Sequence, residues 1–388
     1  MTTTVPSSPR VFAVIAGGGT AGHVIPALAV AEQLVDRGRS PRSVAFVASR
    51  RPVDAALLEP TEHPRLLLEV DGLQRSLSPR AVWRSLLAAP KLVVATALAT
   101  RQLRLWRPRV VVSVGGFASE PAVRAARALR VPVVVVSYDR VPGLATRRQA
   151  KHAAAVAVAF ADSALPGAKH AGAPVRASVR RVSRSTARTD GARQKAAEVF
   201  GVDPRRLVVV AMGGSLGSQT INDAVERWVA ANSRRDDVAV VHLVGDRYAG
   251  ADHESQHTSQ HASQHGALHY LRRASHAAMS DVWTLADVVV CRAGASTVAE
   301  LVTVGAPSLV VPWADAAGDH QRRNARWLAD AGAAIVVDEQ RMASAFDTEL
   351  SKLVDDAVAR ERLAAKAFAL GGLNRSAAIA SIIEAAAR

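Results

Sequence analysis

Gly17-Gly18-Gly19-Thr20-Ala21-Gly22-His23 follows the apolar run Val11–Ala16, and Gly213-Gly214-Ser215-Leu216-Gly217-Ser218 follows Leu207–Ala211. Each is a short buried strand that runs into a glycine-rich loop and then a helix. Around them, Val-rich runs alternate with Ala-rich helical stretches. Ser43–Ala48, Val110–Val114 and Pro132–Ser137 read as further buried strands in the first half. Val238–Val244, Asp287–Cys291, Ser308–Val311 and Ala334–Val337 do so in the second. Pro26–Arg37 and Thr297–Val304 read as helices between them. This alternation means βαβ units and parallel sheets. The expected fold class is α/β, with two Rossmann-like parallel-sheet domains facing a central cleft. The polar, Arg/Ser/Thr-rich stretch Ala177–Asp190 carries the linker.

The length of 388 residues suits two domains. At 49% hydrophobic and 21% charged, the chain is an ordinary globular one, not a disordered or fibrous one. With aromatics at 4%, Ala, Val and Leu must fill the core. The net charge of +15 is uneven. Residues 1–186 carry 27 basic and 10 acidic side chains, and the rest carry 22 and 24. A genome biased toward Arg would not spare one half. The basic half is expected to face something anionic, a membrane or a nucleic acid. The single cysteine, Cys291, allows no intrachain disulfide. Met1–Arg10 is polar and no apolar run reaches a spanning length, so the expected place is the cytoplasm, with any membrane contact peripheral. Histidines at 257, 261 and 265 repeat within Ser255–His265. Their spacing could gather imidazoles on a metal, but the apolar-poor segment reads better as a solvated insertion, and no metal is expected.

Gly17, Gly19 and Gly22 satisfy the dinucleotide fingerprint. Such a site wants an acid about 20 residues on, at the end of the second strand. Arg50 and Arg51 stand there and would suit a 2′-phosphate, so an NADP-binding oxidoreductase is one alternative. Gly213-x-Ser215-x-Gly217 matches a hydrolase nucleophile elbow, with Asp287 and His320 in the right chain order. An anion-cradling turn fits that loop equally well. The richest cluster is Arg292-Ala293-Gly294-Ala295-Ser296-Thr297-Val298-Ala299-Glu300. Ser296 or Thr297 can cap a helix, and Glu300 near its start can accept hydrogen bonds from a vicinal diol or merely oppose the helix dipole. Asp319-His320-Gln321-Arg322-Arg323-Asn324-Ala325 is a second polar cluster at a strand's C-terminal end, where ligands bind in such sheets.

Taken in order, Gly17–His23 with Pro26, Gly115-Gly116-Phe117, Gly172-Ala173-Pro174-Val175-Arg176, Gly213–Gly217, Ala286-Asp287-Val288 through Glu300, and Asp319–Ala325 resemble the MurG family of glycosyltransferases. The resemblance runs from about Val11 to the C-terminus. It implies the GT-B architecture, with an acceptor- and membrane-binding domain over 1–180, a linker over 181–192 and a donor domain over 193–370. A C-terminal helix over 371–388 would return to the first domain. It implies inverting transfer of N-acetylglucosamine from UDP-N-acetylglucosamine to O4 of the muramoyl unit of lipid I, making lipid II for peptidoglycan. The cofactor expectation is none, with UDP-N-acetylglucosamine as substrate and catalysis without metal. Expected partners are that donor, lipid I, an anionic membrane surface and proteins of the cell-wall synthesis machinery, not nucleic acid. The expected location is the inner face of the cell membrane. A related transferase with another UDP-sugar or glycolipid acceptor is the nearest alternative.

The resemblance places the donor's diphosphate near Ser215 and near Thr20, Ala21 and Gly22. It places the nucleoside and sugar along Ala295, Ser296, Thr297, Val298, Ala299 and Glu300, with Glu300 on the ribose. His320 and Gln321 would meet the N-acetylglucosamine, Arg176 the donor, and the backbone around His276 the uracil. After Pro132–Val136 the family usually has His-Glu-Gln/Ala-Asn, whereas this chain has Val136-Ser137-Tyr138-Asp139. Asp139 stands at the donor-sugar Asn position and Ser137 replaces the Glu. The catalytic candidates are therefore His23 and Asp139. His23 acts either as the base or by orienting acceptor or diphosphate. Leu73, Leu77, Val82, Trp83, Leu86 and Leu87 lie among Arg75, Arg80, Arg84 and Lys91, an apolar face edged with cations that suits membrane contact.

Overall fold

A computed structural model describes residues 10–70, 79–184, 191–214, 216–248 and 267–387, without the side chains of 79–89 and 317. The chain divides into two compact units, one of residues 1–177 and 376–388 and the other of 178–375.

Unit 1 holds β1 (Ala13–Ala16), β2 (Val44–Ser49), β3 (Arg65–Leu68), β4 (Val110–Ser113), β5 (Val133–Ser137), β6 (Ala155–Val158) and β7 (Ala168–His170). They form one sheet in the order β3-β2-β1-β4-β5-β6-β7, every pair parallel. Helices α1 (Ala21–Asp36), α2 (Pro52–Leu58), α3 (Pro79–Trp106), α4 (Glu120–Ala128) and α5 (Leu144–Ala150) make the connections. A short helix, α6 (Ala177–Arg180), follows β7.

Unit 2 holds β8 (Leu207–Met212), β9 (Val238–Leu243), β10 (His269–Arg273), β11 (Val288–Cys291), β12 (Ser308–Val310) and β13 (Ile335–Val336). Their order is β10-β9-β8-β11-β12-β13, again all parallel. Helices α7 (Ala192–Phe200), α8 (Gln219–Ala231), α9 (Met279–Leu285), α10 (Ala295–Val304), α11 (His320–Asp330), α12 (Met342–Asp355), α13 (Ala357–Leu370) and α14 (Gly372–Arg375) complete it. The last helix, α15 (Ala378–Ala386), belongs to unit 1, where Ile379, Ala380 and Ile383 are buried. There it packs against α1, β5 and β6, and Glu384 pairs with Arg37 at 2.7 Å and Arg39 at 3.1 Å.

The expected α/β fold with two parallel sheets is present. The central strands are runs of Val and Ala because helices cover both faces, so neither face can be polar. All nine expected strands form, with ends shifted by at most two residues. Four strands were not read. Three of them, β3, β7 and β10, are sheet edges and carry Arg, Lys and His, as edge strands do. The fourth, β6, is hidden in an alanine run.

Both strand orders reverse direction beside the first strand of the unit. The crevice at such a switch point, outside the strands' C-terminal ends, is where a doubly wound sheet binds ligands. In unit 1 the loops there follow β1 and β4, and in unit 2 they follow β8 and β11.

Candidate active site

In unit 1 the Gly17–His23 loop is shaped by a carboxylate. Asp54, on α2, is fully buried. It accepts the Gly19 amide at 2.8 and 3.0 Å, the Ser49 amide at 2.9 Å and the Ser49 hydroxyl at 2.7 Å. Arg51 adds a bond from its guanidinium to the Gly19 carbonyl at 2.9 Å. With the Gly19 amide taken by an anion, loop one cannot give that amide to a dinucleotide's diphosphate. The amides of Ala21 and Gly22 open α1 and have no intrahelical acceptor.

Pro26 lies inside α1 and has no N–H, so it leaves the Gly22 carbonyl four residues back without its helical donor. The Tyr138 hydroxyl supplies that donor at 2.6 Å. This tie runs from the end of β5 to the first turn of α1. Burial, with the nearby Asp139 charge, holds the phenol well above its ordinary pKa, so it stays a donor.

His23 points into a cavity of about 470 Å³ lined also by Gly115, Gly116, Glu120, Arg124, Ser137, Tyr138, Asp139 and Thr146. Its Nδ1 lies 3.0 Å from Thr20 Oγ1, and its ring meets Tyr138 edge-on at 6.5 Å. Burial lowers its pKa below the ordinary 6.5, against the opposing pull of Asp139 and Asp54. The imidazole is therefore neutral at physiological pH and able to take a proton. The cavity brings together the two catalytic candidates, His23 and Asp139.

In unit 2, Arg292 at the end of β11 ties three loops together. It donates to Ser218 Oγ at 2.7 Å and to the Val311 carbonyl at 3.3 Å, and pairs with Glu339 at 2.5 Å. Glu339 in turn accepts the Ala314 amide at 2.8 Å. Ser218 is the N-cap of α8. Asn222 on α8 donates to the Val244 carbonyl at 3.2 Å and lies 3.1 Å from Nε2 of His242, whose Nδ1 lies 2.9 Å from the Tyr270 hydroxyl. His242 is fully buried and its pKa is pushed down to about 3, chiefly by that burial.

Helix α10 starts at Ala295, so the amides of Ala295, Ser296 and Thr297 have no intrahelical acceptor and present a positive dipole end. Val298 and Ala299 are buried. Glu300 is half-buried and accepts Trp283 Nε1 at 2.7 Å, which orients one carboxylate oxygen. Gln321 Oε1 accepts the Trp313 amide at 3.0 Å, which leaves its NH2 as the group to offer a ligand. His320 is the first residue of α11. His276 bonds Asp281 at 3.2 Å and packs on Phe200. Among the described residues no cluster of His, Cys, Asp and Glu could hold a metal ion.

Known proteins match the chain across both units. The glycosyltransferase family 28 N-terminal domain matches residues 13–158, and the family's C-terminal domain matches 208–381. The UDP-N-acetylglucosamine--N-acetylmuramyl-(pentapeptide) pyrophosphoryl-undecaprenol N-acetylglucosamine transferase of Anaeromyxobacter dehalogenans (strain 2CP-1) is 34% identical over 95% of this chain and 91% of its own. This chain belongs to glycosyltransferase family 28. The protein of the same name from Paenarthrobacter aurescens is 32% identical over 97% of the chain and 96% of its own. The crystal structure of Acinetobacter baumannii MurG superposes with a TM-score of 0.67 at 24% identity, over 97% of this chain and 99% of that one. A UDP-GlcNAc 2-epimerase from Neisseria meningitidis bound to UDP-GlcNAc shares the fold, with a TM-score of 0.61 at 12% identity over 96% and 98%. The GT-B fold and the MurG resemblance read from the sequence are borne out, and the NADP-oxidoreductase alternative falls.

The hydrolase alternative falls on geometry as well. Asp287 bonds the Val208 amide at 2.9 Å and pairs with Arg193 at 2.6 Å, at the start of β8. The elbow follows the far end of that strand, about 17 Å away at the rise of a β-strand. Of the donor residues expected for this enzyme, Thr20, Ala21, Gly22, Asp139 and Arg176 lie in unit 1, where Arg176 bonds Glu32 at 2.7 Å. His276, Ala295–Glu300, His320 and Gln321 lie in unit 2. Ser215 and the histidine repeat lie outside the described residues. So do Leu73, Arg75 and Leu77, and the side chains of Arg80, Trp83, Arg84, Leu86 and Leu87 on the first turns of α3.

The roles of Asp54, Tyr138, Arg292 and Glu339 went unread. Only Tyr138 had a signal, since Pro26 inside a helix calls for an outside donor.

Proposed function

We propose that this enzyme transfers N-acetylglucosamine from UDP-N-acetylglucosamine to O4 of the N-acetylmuramoyl unit of an undecaprenyl-diphosphate-linked pentapeptide, making lipid II with inversion and without metal. The observation that carries this is 34% identity over 95% of the chain to a transferase of that name. Unit 2 takes the donor. Glu300 accepts hydrogen bonds from the ribose hydroxyls, and His320 and the Gln321 NH2 meet the sugar. The amides opening α10 stabilise the charge that grows on the departing UDP diphosphate, without a metal ion. Unit 1 takes the acceptor. The acceptor oxygen attacks the anomeric carbon as the bond to the diphosphate oxygen breaks and its electron pair leaves with UDP. His23, neutral at physiological pH, takes the hydroxyl proton, with Asp139 beside it to balance the imidazolium.

The test is UDP release with UDP-N-acetylglucosamine and a short-chain lipid I analogue. Turnover is expected to depend on the acceptor. Glu300→Gln keeps an oxygen for Trp283 but offers the ribose a donor. It is expected to raise the KM for the donor about tenfold or more, the worth of a hydrogen bond to a charged group. Donor hydrolysis with no acceptor dependence, or an unchanged KM in Glu300→Gln, counts against the assignment. The Ser137-Tyr138-Asp139 departure favours one alternative, another glycolipid acceptor. Turnover with that acceptor and none with lipid I would select it.

Membrane contact is proposed through α3. Val94, Leu98 and Leu105 are exposed along one stripe, with Arg101 and Arg104 exposed beside them. This pattern suits an anionic interface at the inner face of the cell membrane. Among the described residues no helix is long and apolar enough to cross a membrane. Phosphatidylglycerol vesicles are expected to sediment the wild type but not Val94→Asp/Leu98→Asp, and equal sedimentation of both would refute the contact.

A further inference from the structure

The geometry of the unit 1 cavity points to Glu120 as a residue that reads the acceptor, an inference that rests on the transfer proposed above. Glu120 opens α4 and lines the cavity with His23, Asp139 and Arg124. Its side chain is 21% exposed. Both carboxylate oxygens are held: Gln149 Nε2 donates to Oε2 at 2.9 Å, and Arg124 Nε donates to Oε1 at 2.9 Å.

The direction of these bonds is set from the backbone. The Gly115 amide donates to Ser113 Oγ at 3.2 Å, and the Ser113 hydroxyl hydrogen goes to Gln149 Oε1 at 2.6 Å. Gln149 is buried, so its amide can face only one way. Its nitrogen turns to Ser119 Oγ at 3.0 Å and to Glu120. Ser119 has no hydrogen to return, because its own goes to the Gly116 carbonyl at 2.8 Å. Each donor in the chain therefore ends on Glu120, whose two oxygens are the acceptors of the network. A satisfied buried network of this kind holds one geometry.

A carboxylate has about four lone-pair positions. Gln149 and Arg124 fill one on each oxygen. The remaining ones belong to a side chain on the cavity wall whose position is set before any ligand arrives. Hydroxyl and amide N–H groups are the chemistry that completes them, and an N-acetylated sugar carrying a peptide is rich in both. Glu120 thus contributes to acceptor affinity, and Gln149 acts through it as a positioning residue.

The test compares wild type, Glu120→Gln, Gln149→Met and the double variant, in turnover with the short-chain lipid I analogue and in direct binding of that analogue by calorimetry. Glu120→Gln preserves shape but puts a donor where an acceptor is needed. Its acceptor KM is expected to rise at least tenfold, with kcat within twofold of wild type and the donor KM unchanged. Gln149→Met is expected to reproduce part of the rise, and the double variant to add nothing to Glu120→Gln, as for residues acting as one unit. A merely structural role would instead lower the melting temperature and disturb donor and acceptor alike. A wild type that turns over and a Glu120→Gln enzyme that matches it would overturn the role and leave the transferase intact. A drop in kcat with acceptor KM unchanged would also overturn it. A wild type that neither binds nor uses the analogue would overturn the transfer itself, and Glu120's part with it.

Discussion

An Asp54→Ala enzyme is expected to lose at least a hundredfold in kcat/KM, although Asp54 touches no substrate in the proposed reaction. Among the described residues the carboxylate alone is bonded to both the Gly19 amide and the Ser49 side chain. Removing it leaves the buried Ser49 amide and the part-buried Gly19 amide without this acceptor, at about 1–3 kcal/mol each. The chain relieves this by moving the Gly18–Thr20 segment toward water. Thr20 caps α1 and holds His23, so the shift reaches the imidazole directly. About 3 kcal/mol expressed in the transition state is roughly a hundredfold in rate. Asp54→Asn keeps one acceptor oxygen for the Ser49 and Gly19 donors and is expected to fall between alanine and wild type. Both variants also remove a negative charge that raises the His23 pKa. If His23 is the base, it must be neutral to act, so activity falls as pH drops through its pKa. A lower pKa moves that acid limb to lower pH in both variants. The check is a pH–rate profile of kcat/KM for the three enzymes. An Asp54→Ala enzyme within threefold of wild type would show that the loop holds its shape without the carboxylate.

Asp54 also marks where local motifs stop being informative. A dinucleotide fold places an acid at the end of the second strand, and Arg50 and Arg51 stand there. The acid comes slightly later, on the first turn of α2, and turns inward to the loop instead of outward to a ribose. The strands were legible because a sheet covered on both faces must be apolar throughout, and Val-rich runs have few other uses. Three of the four edge strands, β3, β7 and β10, were not, because an edge faces water and carries the residues of a loop; the apolar fourth, β13, was. The glycine loops and the start of α10 were legible because their chemistry is local: free amides, small side chains and a carboxylate one turn on. The supports of the site were not. Arg292 and Glu339 pair across 47 positions, and Tyr138 reaches Gly22 across 116. Such contacts depend on the order of strands in the sheet, which periodicity does not encode. The C-terminal helix was assigned to the first domain by the resemblance, not by its own pattern. Its apolar face is plain in the sequence, but its place on α1, β5 and β6 comes from the fold.

Gly217→Ala is expected to be the most damaging small change in unit 2. Gly217 adopts a φ of +75°, where an L-residue pays about 1 kcal/mol or more. A Cβ there would overlap the Val244 carbonyl oxygen and lie 2.6 Å from the Tyr248 ring. Gly245 faces it with its own bare Cα, so the loops after β8 and β9 meet backbone on backbone. Neither side can yield cheaply. The Val244 carbonyl holds Asn222, the Val244 amide holds the Arg273 carbonyl at 2.9 Å, and the Gly245 amide holds the Ala274 carbonyl at 2.8 Å. The methyl must therefore displace Gly217 itself. Its amide closes the turn on the Gly214 carbonyl at 3.0 Å, and the next residue, Ser218, caps α8 and receives Arg292. Overpacking of this kind costs about 1–3 kcal/mol. With the backbone strain added, the donor KM is expected to rise ten- to a hundredfold and the melting temperature to fall by several degrees. Gly214→Ala separates the two causes. Gly214 has a similar φ of +88°, but among the described residues beyond its chain neighbours nothing lies within 4 Å of its would-be Cβ. It carries the strain without the overlap and is expected to change the donor KM by less than fivefold. Equal losses in the two variants would mean that backbone conformation alone governs the loop, and that its seat on Gly245 does nothing for the donor site.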